Sequence, residues 1–475
     1  MTKSIRHAIG LVLVLLSLYG CNISKPLNRT EDKAVPASFK HSQDTANIAK
    51  IDWRNYFKDP KLIKLIDEAL EKNQELKIVM QDVEIDKNEI KARKGEYLPF
   101  VGLKGDAGFE KDGRYTRHGA VDESLNIKEG EAFPEPLTDY SIGAYASWEL
   151  DVWKKLRNAK KAAVNEYLAT VEGKNFMVTN LIAEVSNAYY KLMALDNILK
   201  IIDDYTAIQK NALRVVKQQK EAARASELAV NRFEAQLLNT QNLRYKIQQE
   251  VVETENEINF LTGTFSQSIE RNSEMFMDLE IDSLSTGIPS ELLKNRPDIR
   301  QAEMELAAAK LDVKVARAEF YPSFSIEAGV GFAAFNPAFL LNPESLLYNL
   351  AGEVMAPLLN RNAIKAEYRS ANSRQLQAIF EYEETLLSAY LEVENQLSAF
   401  QNYSQSFDKK AEEVEKLKRS VNISNQLFRS ARADYLEVLL TQREALESRM
   451  ELIEIKEQQL STKVNTYKAL GGGWN

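Results

Sequence analysis

The side chains able to do chemistry are few. Cys21 is the only cysteine, which leaves no disulfide and no cysteine-built metal site. The three histidines, His7, His41 and His118, stand far apart, so a histidine metal cluster or a Ser-His-Asp set has little material. Methionine is scarce and unclustered, so no soft-metal site is expected. Asn295-Arg296-Pro297-Asp298 concentrates charge around a proline. Pro297 suits the first turn of a helix, with Arg296 or Asn295 capping before it and Asp298 favourable at the N-terminus, which is a structural role. Gly471-Gly472-Gly473-Trp474 reads as a helix stop followed by an anchoring indole. Phosphate-binding glycine loops follow a strand and open a helix, and this run does neither. With no nucleophile–base pair and no metal constellation, neither an enzyme nor a cofactor is expected.

Composition narrows the field further. Lys and Arg number 61 against 69 Asp and Glu, a formal charge of −8, which argues against a basic nucleic-acid binder. Hydrophobic residues at 44% and charged residues at 27% fit a folded chain.

Near the start, Lys3 and Arg6 precede an apolar run from Ala8 to Leu18 that ends at Leu18-Tyr19-Gly20-Cys21. A short basic stretch and about 7–15 apolar residues read as a secretory signal over residues 1–20, too short to span a bilayer as a helix. The junction resembles a bacterial lipobox, with Cys21 lipidated as the first mature residue; a plain signal peptide with an incidental cysteine is the alternative. Residues 21–50 read as a polar, lipidated tether.

The elements that follow are written in the placement of glycine and proline. Residues 174–262 and 358–470 contain neither. Proline costs a helix interior about 3 kcal/mol and glycine about 1, so such stretches predict long helices or helical hairpins. Leu181, Val185, Ala188, Leu192, Leu195, Leu199 and Ile202 keep a 4-and-3 spacing, as do Ile247, Val251, Thr254, Ile258 and Leu261. Val414, Leu417, Val421, Ser424, Phe428 and Ala431 do the same before the phase slips. A 3.5 repeat marks coiled-coil seams. The slip near residues 432–434 predicts a turn, with a matching break near 221–226.

Glycine and proline instead collect in residues 95–143 and 322–357, where the period becomes 2. Val101, Leu103, Ala107 and Phe109 alternate with Gly102, Lys104, Asp106 and Gly108. Alternation also holds from Tyr140 to Val152, from Phe324 to Phe332, and more weakly from Leu346 to Val354. These segments have the length of tilted membrane strands, apolar toward lipid and polar toward water. Tyr140, Trp148, Trp153 and Phe335 would form interfacial belts. The same pattern fits a half-exposed soluble hairpin.

The chain also repeats itself. Glu96-Tyr97-Leu98-Pro99 with Phe109 echoes Glu319-Phe320-Tyr321-Pro322 with Phe332, and Arg224-Ala225 echoes Arg432-Ala433. The expected organisation is a first repeat over 51–263, with strands within 99–153 and long helices over 154–262. A joining segment over 264–288 follows, then a second repeat over 289–470, with strands within 322–357 and helices over 361–470, and a tail over 471–475. An unpaired strand edge in lipid costs several kcal/mol per backbone group, and the smallest membrane barrels have about eight strands. Four strands in a membrane must therefore share a barrel with other copies; three copies give twelve strands.

Four motifs in order carry a resemblance to a known family. They are Asn295-Arg296-Pro297-Asp298-Ile299 running on to Tyr321-Pro322, Trp148-Glu149-Leu150-Asp151-Val152-Trp153 with Arg157, Ala433-Asp434-Tyr435-Leu436-Glu437-Val438-Leu439 with Gln442-Arg443, and the ending Tyr467-Lys468-Ala469-Leu470-Gly471-Gly472-Gly473-Trp474. Over residues 50–475 the chain resembles the TolC-like outer membrane efflux proteins, in the lipoprotein branch that serves resistance-nodulation-division pumps. The resemblance implies a membrane α+β fold: a homotrimer with a twelve-stranded β-barrel, four strands per chain, continued by a long α-helical barrel built from two repeats. It implies an outer membrane, lipid-anchored conduit whose helices lie in the periplasm, docking onto a periplasmic adaptor fed by an inner-membrane pump. It also implies a periplasmic gate at Asp434 and Glu437, and tip or adaptor contacts at Arg224, Ala225, Arg432 and Ala433. Leu440 stands where relatives often carry Asp, which leaves Glu437 as the better ring carboxylate. The expected function is passive conduction of small molecules, drugs, toxic compounds or metal ions out of a tripartite pump. The alternatives are the outer component of a type I protein secretion system or a periplasmic coiled-coil scaffold.

Overall fold

The structure, a computed structural model, describes residues 29–40, 46–280, 285–430 and 432–474. The signal segment, Cys21, His7, His41 and Ala431 lie outside the described residues. In order come α1 (Trp53–Tyr56), α2 (Pro60–Lys72), α3 (Gln74–Glu96), β1 (Phe100–Glu110), α4 (Arg117–Ser124), β2 (Asn126–Lys128), β3 (Glu131–Ala132) and β4 (Leu137–Glu149). Then follow α5 (Lys155–Glu221), α6 (Glu227–Leu261), α7 (Leu292–Asn295), α8 (Pro297–Ala318), β5 (Ser323–Ala334), β6 (Leu346–Met355), α9 (Asn362–Arg429) and α10 (Tyr435–Ala469). Among the described residues no helix is long and apolar enough to cross a membrane.

The punctuation argument holds at the helices. The second glycine-free stretch contains α9 and α10, of 68 and 35 residues; the first contains α6, of 35, and most of α5, whose 67 residues start earlier at Lys155 and run through Gly173. At 1.5 Å per residue α5 has a contour length of about 100 Å. The break at residues 430–434 falls where the heptad phase slips, and the break at 222–226 falls at the matching position expected of the first repeat. The seam residues Leu181, Val185, Ala188, Leu192, Leu195 and Ile202 are all buried.

Two compact units divide the chain. The first holds residues 84–168 and 304–380, with a four-stranded sheet in the order β1-β4-β5-β6. Every neighbouring pair is antiparallel. Residues directly opposite across a ladder share a face, so the register sorts the side chains. Rows on one face read Gly105–Ile142–Phe332–Leu346, Leu103–Ala144–Val330–Tyr348 and Val101–Ala146–Ala328–Leu350. Rows on the other read Lys104–Gly143–Gly331–Leu347, Gly102–Tyr145–Gly329–Asn349 and Phe100–Ser147–Glu327–Ala351. The Gly143–Gly331 pair is required by space: a Cβ on Gly143 would sit 2.7 Å from the Val330 carbonyl oxygen.

β4 differs from its expected span. It stops at Glu149 instead of continuing through Val152. The cause is Asp151, whose carboxylate accepts from the backbone amides of Leu156 and Arg157, both at 3.0 Å, and so pulls the chain into the start of α5. Beside the sheet, Val313, Ala316, Phe320, Tyr368 and Ala371 form a small core between α8 and α9.

The second unit holds residues 31–83, 169–303 and 381–475. The joining segment is seated by Arg271, which spans Asp196 at 2.7 Å and Glu255 at 2.5 Å. Pro297 opens α8, as its fixed φ favours. The Arg296 guanidinium, buried against solvent, reaches both Asp298 oxygens, Glu392 at 2.7 Å and the Ala469 carbonyl at 2.8 Å. Trp474 closes this node by donating its indole N–H to the Asn295 carbonyl at 2.9 Å. Gly471 at φ +87° ends α10, where a Cβ would meet the Asn295 carbonyl. The polar segment at residues 31–40 is held in place: Phe39 is buried and stacks on Tyr390 at 5.7 Å, and the Lys40 amide donates to Glu394.

Candidate channel wall and helical turns

Two places concentrate unusual surface. The first is the sheet. From Tyr140 to Trp148 and across the paired stretches of the other strands, one face carries no charged residue. Its side chains are open: Leu103 is 85% exposed and Leu350 79%. A water-facing sheet places polar residues there, and contiguous exposed apolar surface of this kind marks an interface with protein or membrane. The opposite face carries Lys104, Asp106, Glu327 and Glu353. β1 and β6 are edges, so each leaves one side without a ladder partner among the described residues. Ten to thirteen residues per strand, tilted about 40°, rise about 25–33 Å, enough for a hydrocarbon core.

Aromatic groups stand at one end of the apolar face. The Trp148 indole donates to the Tyr97 carbonyl at 3.0 Å, and the Trp153 indole to the Pro322 carbonyl at 2.7 Å. Trp153 stacks on Tyr321 at 4.7 Å. Of the other two belt candidates, Tyr140 lies near the far end of β4, and Phe335 follows β5 and meets Phe339 edge-on. Below the Trp148 end, Arg157 donates from Nε to the Asp151 carboxylate at 2.9 Å and from Nη2 to the Asp151 carbonyl at 2.7 Å. Burial opposes ionisation of Asp151, yet Arg157 and the two amides hold its carboxyl below the usual range.

The second place is the pair of helical turns. Arg224 and Ala225 lie in the α5–α6 turn, and Arg432, Ala433 and Asp434 in the α9–α10 turn. The two turns share a backbone pattern: the amide of Arg224 donates to the Gln219 carbonyl at 2.7 Å, and that of Arg432 to the Leu427 carbonyl at 2.9 Å. Both bonds reach back five residues, the 6→1 closure of a helix C-terminus. Ser226 then caps α6 by accepting from the Ala229 amide at 3.2 Å. Asp434 occupies the same place before α10 but makes no side-chain cap bond.

One hydrophobic cluster unites the turns. Val216, Ala229, Val230 and Phe233 from α5 and α6 pack with Val438 and Leu439 of α10, with Ala225, Phe428 and Tyr435 at its margin. Sequence spacing alone gave no reason to join residues about 210 apart; only the repeated Arg-Ala pair hinted at it. Glu437 sits on the first turn of α10, exposed, as are Arg224, Arg432 and Asp434. None of these four makes an ion pair with a described residue within this chain, whereas Lys220 and Glu227 pair across the first turn. Among the described residues no group of three or more His, Cys, Asp or Glu is placed to hold a metal.

The whole arrangement has known counterparts. Residues 65–264 and 288–472 match the family model described as outer membrane efflux protein. The chain is 28% identical over 423 residues to the solvent efflux pump outer membrane protein SrpC of Pseudomonas putida, covering 89% of this chain and 87% of that one. It is 26% identical over 466 residues to the cation efflux system protein CusC of Escherichia coli O6:H1, covering 97% of each. Its fold matches the Campylobacter jejuni CmeC outer membrane channel with a TM-score of 0.85 over 95% of both chains at 20% identity. With an apolar strand face, paired long helical hairpins and a family match over both halves, this chain belongs to the outer membrane efflux protein family.

Proposed function

We propose that this protein is the outer membrane duct of a tripartite efflux pump, passively conducting small molecules from an inner-membrane resistance-nodulation-division transporter and its periplasmic adaptor. The observation that carries the reading is the sheet with an uncharged, exposed face and two open edges. Lipid satisfies that face, and only other copies satisfy the edges. Three chains supply twelve strands, and their helices continue the wall as an α-barrel. The two-repeat organisation, 51–263 and 289–470, is supported by the matched helix lengths and the shared turn closures. Cys21 is the lipid attachment site, after removal of residues 1–20.

At the turns, Glu437 with Asp434 forms the periplasmic gate, since a ring of carboxylates biases a pore toward cations. Arg224, Ala225, Arg432 and Ala433 form the adaptor-facing tip, supported by the exposure of the two arginines and the half-burial of the two alanines in adjoining turns. The relatives named above are a solvent pump component and a cation system component. A duct serving either class discriminates little, so cargo choice is assigned to the pump. A planar-bilayer recording of the purified full chain tests the reading: discrete channel steps are expected, and a silent bilayer together with extraction from membranes without detergent would overturn it.

A further inference from the structure

A dense run of positive charge opens α5. Lys154, Lys155, Arg157, Lys160 and Lys161 fall within eight residues. Two of the five are committed: Lys155 pairs with Glu149 at 3.1 Å and Arg157 with Asp151. Lys154, Lys160 and Lys161 make no ion pair with a described residue. Arg157 and Lys161, four apart, share one side of α5, and Lys154 stands just before the helix at φ +63°. With Lys160, Tyr97 and Leu311 they line an open groove of about 610 Å³. Its backbone is fixed, since the Lys154 carbonyl accepts from the Asn158 amide at 2.9 Å.

The side of the sheet on which this groove opens follows from one bond. Tyr97 lines the groove, and its carbonyl accepts from the indole of Trp148. Trp148 stands in the row Trp148–Ile326–Gly352, on the uncharged face. The free ammonium groups therefore begin where the apolar face and its indoles end. In a membrane, indoles sit at headgroup level, the layer that holds the lipid phosphates.

We propose that this groove binds the phosphate of an anionic glycerophospholipid in the periplasmic leaflet of the outer membrane, fixing the depth at which the strands sit. The assignment rests on the membrane reading of the sheet given above. Ammonium groups act as point charges toward phosphate, and each adds about fivefold to attraction by an anionic surface. The three free lysines together account for about a hundredfold preference.

The test is native mass spectrometry of the full-length protein in mild detergent, titrated with phosphatidylglycerol, phosphatidylcholine or soluble glycerol 3-phosphate. Wild type is expected to retain phosphatidylglycerol over phosphatidylcholine, with retention falling as salt rises, and to retain little glycerol 3-phosphate. The triple variant Lys154→Gln, Lys160→Gln, Lys161→Gln is expected to lose the preference about a hundredfold, and the triple arginine variant to regain it. Equal phosphatidylglycerol retention by wild type and the glutamine variant overturns the proposal, as does glycerol 3-phosphate binding as well as the lipid. Vesicle insertion is scored alongside. Wild type that fails to insert refutes the membrane reading itself, whereas insertion without lipid preference refutes only the groove.

Discussion

Adjacent residues on β6 separate the membrane reading from a soluble one. Leu350 lies in the row Val101–Ala146–Ala328–Leu350 and Asn349 in the row Gly102–Tyr145–Gly329–Asn349, on opposite faces. Both fall near the middle of a ten-residue strand, so both sit at similar depth. If the first face meets lipid, Leu350→Arg places a guanidinium near the bilayer midplane at a cost of about 2–4 kcal/mol per chain. Asn349→Arg faces water and carries no such cost. In an assembly of three chains the Leu350 penalty is paid three times, so the difference is amplified in any measurement of assembled protein. If the sheet were a soluble hairpin, an exposed Leu350 would tolerate Arg within about 0.5 kcal/mol. The assay is urea titration of each variant folded into phospholipid vesicles, with folded fraction read from heat-modifiable gel mobility. A Leu350→Arg midpoint well below that of Asn349→Arg is expected. Equal midpoints, or a larger loss for Asn349→Arg, would refute the face assignment.

Other perturbations probe separate parts. Arg296→Leu strands the Asp298 carboxylate in a buried node and leaves the Ala469 carbonyl unbonded, so about 3–5 kcal/mol of stability is lost in chemical denaturation; Glu392→Gln, at a carboxylate that is itself 31% exposed, costs less. Glu437→Ala alters resting conductance or its block by divalent cations; unchanged traces remove Glu437 from the gate. Cys21→Ala abolishes incorporation of labelled fatty acid, and persistent labelling removes the lipoprotein assignment.

Much of this was legible in the residues because it is local. A missing glycine or proline, a 3.5 or 2.0 period and a phase slip each report on neighbours a few positions apart, and they located the helices, both turns and the strand faces. What escaped depends on distant partners. The polar run at 31–40 hid Phe39, whose aromatic partner Tyr390 is 351 residues away. The end of β4 was misjudged because Asp151 fits an alternating pattern equally well as a strand residue or as a cap for the next helix. From its neighbours Arg296 reads as a helix-start residue, while its ion pair to Glu392 and its bond to the Ala469 carbonyl need α9 and the end of α10 to be in place. At the turns, spacing placed Arg224 and Arg432 at equivalent positions, but only the shared cluster around Val216 and Val438 shows that the two turns adjoin.

The most direct test of the central claim is the mass of the purified full-length protein in mild detergent, measured by native mass spectrometry. The account requires three chains per particle, because a four-stranded sheet with open edges at β1 and β6 closes in lipid only with strands from other copies. A particle holding a single chain, stable and soluble, would contradict it.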